Sequence, residues 1–67
     1  MKVGELYTVK AMYTPTWQHE QTMYQRYTQS LNPGDVTMIL YVGADVCDLL
    51  TKHGICYTNI MWLCPWK

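Results

Sequence analysis

A chain of 67 residues holds one domain with one small core. A chain this short buries only about 60% of the surface it exposes when unfolded, so a buried catalytic cleft is not expected and no enzyme activity is read from it. Five basic and five acidic residues cancel and are scattered along the sequence, leaving no cationic cluster for binding driven by counterion release from phosphates.

The longest apolar run, MILYVGADV, is too short to cross a bilayer, and MKVGEL has no apolar segment of signal-peptide length. A cytoplasmic protein without a membrane partner is therefore expected. Cys47, Cys56 and Cys64 are an odd set without CxxC spacing and are read as reduced, mostly buried thiols. The nine aromatics are six Tyr and three Trp, with no Phe. Each carries a polar group that must be bonded or wet, so several are expected at the surface.

GELYTVKAMY alternates, with Tyr7, Val9, Ala11 and Tyr13 on one face, and reads as a strand. After Pro15 comes WQHEQTMYQRYTQSL, residues 17 to 31. Wound as a helix, this stretch aligns Met23, Tyr27 and Leu31 at four-residue spacing. The preferred alternative is a long ragged hairpin with arms near PTWQHEQ and MYQRYTQ, since Thr and Tyr are indifferent helix formers and no apolar stripe runs its full length.

Asn32-Pro33-Gly34-Asp35 predicts a tight turn of type II, with Pro presetting the first central dihedral and Gly supplying the positive φ of the second. The strand after it is expected to face Val36, Met38, Leu40 and Val42 inward, and Thr37, Ile39 and Tyr41 outward. DVCDLLTKHGICYTN reads as a hairpin with Cys47 and Leu49 on one face, Asp48 toward water and Gly54 left-handed in the loop. Thr58 and Asn59 are candidate caps for one short helical turn before a last strand, MWLCPW, in which Pro65 fits only an edge or the end of pairing. The sum is an all-β antiparallel architecture of about five short strands over residues 1–67, favouring a small barrel.

This order resembles the SH3-like small barrel, including stand-alone SH3-like domains of bacteria and their phages. Ala11-Met12-Tyr13-Thr14-Pro15 lies where that family's ALYDY motif falls, Asn32-Pro33-Gly34-Asp35 matches its diverging turn, and Tyr57-Thr58-Asn59-Ile60 partly matches its PSNY turn. The resemblance implies a long RT-like loop over the questioned stretch and one short 3-10 turn. The family's groove for proline-rich ligands uses two Tyr, a Trp, a Pro and a further Tyr. Here only Tyr13 is in register, while Pro15, Val46 or Cys47, Tyr57 and Ile60 occupy the other places. Standard PxxP capture is therefore not what the sequence implies.

Trp, Tyr and Arg on a loop held by a rigid scaffold are the side chains most often energetic at interfaces. Trp17, Tyr24 and Arg26, joined by Tyr13 and Tyr57, are the expected contact surface for a protein or peptide partner. The competing structural reading is that some of these rings merely cover a small core. His19, Glu20, His53 and the three Cys lack the close ligand pairing of a zinc site, so no metal or cofactor is expected. Cys56 near His53 lies in a hairpin turn that offers no substrate pocket, so no catalytic residue is assigned. Two further functions stay open. Single-stranded nucleic acid could stack on the rings, although the missing positive charge makes it unlikely by comparison with a protein partner. Alternatively a homodimer could form through outward Ile39 and Tyr41 and the WLCPW segment, where an extended backbone aligns Trp62 and Trp66 on one face.

Overall fold

The computed structural model of the protein describes residues 1–18 and 29–66. Six antiparallel strands follow one another as β1 (Leu6–Val9), β2 (Thr16–Trp17), β3 (Thr37–Val42), β4 (Val46–Thr51), β5 (Gly54–Asn59) and β6 (Leu63–Pro65), with a 3-10 turn at Ile60–Trp62 before β6. They form one sheet in the order β2-β5-β4-β3-β1-β6. The described residues are thus all-β, with one strand more than the sequence suggests. The addition is the two-residue β2, too short to leave a periodicity signal.

Local chemistry explains the corners. Gly34 has φ +98°, and the Asp35 N–H donates to the Asn32 carbonyl at 2.9 Å, closing the turn that Asn-Pro-Gly-Asp predicts. The Asp35 carboxylate also accepts from the Asn32 N–H at 3.0 Å. Gly54 has φ +123° in the β4–β5 hairpin. Asn59 caps the 3-10 turn by accepting from the Met61 N–H at 2.9 Å, and Pro65 lies in β6, an edge strand that needs no donor on its outer side.

The core is built from cross-strand rows. Ile39 pairs with Leu49, Leu49 with Cys56, and Cys56 with Trp17, and all four are buried. Val42, Cys47 and Thr58 form the next inward row. Val9, Leu31 and Leu63 close the cluster from β1, the chain before the tight turn, and β6. Full burial of each Ile or Leu is worth roughly 1.5–3 kcal/mol, so these few residues carry most of the fold's margin.

The phase of β3 is opposite to the sequence expectation at its start. Thr37 and Ile39 are buried, whereas Val36 and Met38 are exposed. The Thr37 hydroxyl is satisfied inside by donating to the Tyr7 carbonyl at 2.9 Å. Between Ile39 and Tyr41 the register against β4 shifts. This bulge at Leu40 lets Ile39 and Val42 both face inward although they are three residues apart. Tyr41 stays outside as expected, but Ile39 does not, which removes it from any exposed dimer surface. The second half of that surface also changes, because Trp62 sits in the 3-10 turn and so is not on an extended segment with Trp66.

The base of the long excursion is closed by Tyr13 and Leu31, whose backbones exchange hydrogen bonds of 3.1 and 2.9 Å. Thr14 and Ser30 bond through their hydroxyls at 3.0 Å. Thr16–Trp17 is strand, so a helix does not begin there. The helix and hairpin alternatives otherwise fall on residues 19–28, outside the described residues.

Candidate functional site

Between the start of the excursion, β5 and the 3-10 turn lies an open groove of about 320 Å³, lined by aromatic, proline, valine and hydroxyl side chains. Three rings define it: Tyr13, Tyr57 and Trp62. Tyr13 is held where the Tyr13–Leu31 bridge closes the excursion, and its hydroxyl bonds to the Thr58 hydroxyl on β5. Burial pushes the Tyr13 phenol above its ordinary pKa, only partly offset by the bond to Thr58. The phenol is thus neutral and locked as a wall. Its ring stands 6.1 Å from that of Trp62 at 31°, within the range where aromatic pairs attract.

Trp62 arrives through the 3-10 turn. Side chains three residues apart eclipse in such a turn, so the Asn59 cap and Trp62 share one side and both line the groove. The Ile60 N–H donates to the Asp45 carbonyl at 2.8 Å, and the Trp62 carbonyl accepts from the Lys10 N–H at 2.9 Å. Trp62 is fixed in backbone but 48% exposed in side chain. Tyr57 faces outward from β5, paired with Thr16 on β2 and Asp48 on β4, and is also exposed. Pro15 and Val46 add apolar surface to the lining.

The structure therefore brings Tyr13 and Tyr57 of the expected contact surface together and removes Trp17. Trp17 is only 4% exposed, in the core row beside Cys56, with its indole N–H donating to the Gln29 carbonyl at 3.0 Å. The ring that looked available for a partner is a core residue whose polar group is satisfied inside. Tyr24 and Arg26 lie outside the described residues. Trp62, which sequence reasoning assigned to a dimer surface, is the third ring. The cap at Asn59 was the available signal, since a 3-10 turn starting there carries residue 62 back to the side of residue 59.

His53, in the β4–β5 hairpin, is tied to Gln29 and Trp17. It is half-buried, shares a 2.7 Å hydrogen bond with the Gln29 side chain and stands edge-on to Trp17 at 6.1 Å. Cys47 and Cys56 are buried free thiols and Cys64 is half-buried. Burial pushes Cys56 up to about 12 and raises Cys47 as well, so neither is a thiolate at neutral pH. Among the described residues no three of His, Cys, Asp and Glu gather as a metal site, and no helix is long and apolar enough to cross a membrane.

The described lining of the groove holds no carboxylate, amine, guanidinium or imidazole. What it offers is flat apolar contact with a few neutral hydroxyl and amide groups, suited to holding a neutral segment by stacking and hydrogen bonds. Comparison with protein-family models, with curated proteins and with solved structures finds no match, and the functional reading rests on this geometry.

Proposed function

We propose that the protein is a non-catalytic protein-interaction module of the SH3-like barrel type, which captures a short uncharged peptide segment in the groove of Tyr13, Tyr57 and Trp62. The observation that carries the reading is the convergence of three rings, two of them exposed, on one groove with no charged group in its described lining. Aromatic side chains give large contact area at small entropic cost and dominate binding energy at interfaces. The barrel reading is supported by the order of parts: a first strand, a long excursion, an Asn-Pro-Gly-Asp turn, a three-stranded meander, a 3-10 turn, and a last strand paired with the first.

The test is panning of a peptide library with the wild type and with Trp62→Ala, followed by calorimetric titration of the selected peptides into both proteins. Selected peptides should be uncharged at the contacting positions, and Trp62→Ala should weaken them by about 30-fold or more, the loss of a central aromatic contact. Equal affinity for both proteins would refute the groove. Rings can also stack single-stranded bases; an oligonucleotide affinity falling steeply with salt would replace the peptide reading with that one.

A further inference from the structure

The inversion of β3 leaves an apolar row on the sheet's outer face, two rows along β4 from Val46 of the groove. Leu6 pairs with Met38, Met38 with Leu50, and Leu50 with Ile55. Directly paired residues in an antiparallel sheet project to the same face. Leu6, Met38 and Leu50 are 43%, 38% and 43% exposed. Trp66, also exposed, extends the row beyond Leu6, since its N–H donates to the Leu6 carbonyl at 3.1 Å. Five strand positions at about 4.8 Å spacing make a stripe about 19 Å long. The next outward row contains Tyr41, exposed, paired with Asp48, half-buried, which in turn pairs with Tyr57.

We propose that this face docks on the same face of a second copy of the chain, forming a two-fold symmetric, weak homodimer. The face is complementary to itself. A two-fold axis lying between β3 and β4, parallel to the strands, sets Met38 against the partner's Leu50 and Leu6 against the partner's Ile55. The same operation sets the Asp48 carboxylate against the partner's Tyr41, a phenolic donor, and not against its own copy. Asp48 is the one charged residue of the two rows, so the isologous contact matches apolar to apolar and acceptor to donor without like-charge repulsion. A formal net charge of zero adds no long-range repulsion between copies. Two rows alone make an interface at the low end of the size range, below about 1,200 Å² in total, which fits a transient dimer in the micromolar range or weaker.

The dimer does not require the peptide reading, although Tyr57 at the end of the second row also lines the groove, so association is measured without peptide. Sedimentation equilibrium from about 10 µM to about 1 mM brackets association of that strength. The wild type should pass from monomer to dimer within this range. Leu50→Lys and Met38→Lys, on neighbouring strands, should each raise the dissociation constant by about 30-fold or more, with unchanged far-ultraviolet circular dichroism. Met12→Lys replaces an exposed apolar residue outside the two rows and should leave association unchanged. A wild type that stays monomeric throughout overturns the proposal. A Met12→Lys effect equal to the other two overturns the assignment to this face, and the use of two strands keeps a folding defect in one variant from deciding the result.

Discussion

The Tyr13 hydroxyl donates to the hydroxyl of Thr58, joining residues 45 positions apart in the chain. Thr58 is nearly buried, on the inward side of β5, so the bond satisfies a polar group in the core and fixes one wall of the groove at the same time. Tyr13→Phe leaves the Thr58 hydroxyl without that partner and should cost about 1–2 kcal/mol in urea denaturation. Tyr13→Phe combined with Thr58→Val removes both polar groups and should cost clearly less than the sum of the single changes. Full additivity would show that the two hydroxyls do not interact.

Stability should fall at both ends of the pH scale, for groups of opposite sign. Cys47, Cys56 and Tyr13 have folded pKa values raised by burial. The unfolded chain therefore loses these protons first, and the stability present at neutral pH declines as pH rises above about 9, where free thiols begin to ionise. For Cys56 the decline ends near its folded value of about 12. Asp35 has a folded pKa lowered by the hydrogen bond from the Asn32 N–H and by Lys52, whose amine lies 3.5 Å away. Its contribution is present above the unfolded value near 3.8 and is lost as pH falls through the folded one. Thermal melts of Cys56→Ala across pH 8 to 11 should show a shallower alkaline decline than the wild type, and an identical slope would remove Cys56 as its source.

Neighbouring residues of β3 should respond oppositely to the same change. Ile39→Ala opens a cavity in the central core row and should cost about 2–4 kcal/mol, whereas Met38→Ala on the outer face should cost under about 0.5 kcal/mol in dilute solution. Chemical denaturation of the two variants side by side decides the strand's phase. The reverse ranking would restore the inward Met38 that simple alternation suggests.

Trp17 should act on folding and not on recognition. Trp17→Ala removes a ring from the core and should cost about 3–5 kcal/mol, comparable with the whole margin of a domain this size, so the variant should be largely unfolded. Trp17→Phe keeps most of the packing and loses the bond to the Gln29 carbonyl, about 1 kcal/mol. It should bind groove ligands as the wild type does. A folded Trp17→Ala protein that has lost ligand binding would return Trp17 to the contact surface.

What could be read from the sequence was what depends on near neighbours. The Asn32–Asp35 turn, the left-handed Gly54, the cap at Asn59 and the edge position of Pro65 each follow from one residue's backbone chemistry, and all are present. The inward Cys47 and Leu49 were legible because Asp48 between them marks the other side. The phase of β3 was not, because its one hydroxyl marker at the start, Thr37, is buried with its proton on the Tyr7 carbonyl, while the bulge at Leu40 cancels the alternation midway, so that Tyr41 still faces out. Trp17 misled for a related reason: its indole N–H suggested a wet position, but the partner it found was a carbonyl twelve residues away inside the fold. Of the groove, Tyr13 could be anticipated as a ring at the end of the first expected strand and Tyr57 as a ring facing it across the groove. Their meeting with Trp62 depends on pairing between distant strands, which no local pattern encodes.

The pairing of β1 with β6, where Thr8 meets Cys64 and Val9 meets Leu63, bears on how quickly the native state is reached. Hairpin neighbours β3, β4 and β5 can assemble with short loops, but the last ladder must close almost the entire chain and meets its entropic cost late. Stopped-flow refolding should therefore run in milliseconds to seconds, far slower than a helical bundle of equal length. Val9→Ala should chiefly accelerate unfolding, while Leu49→Ala in the meander should chiefly retard refolding.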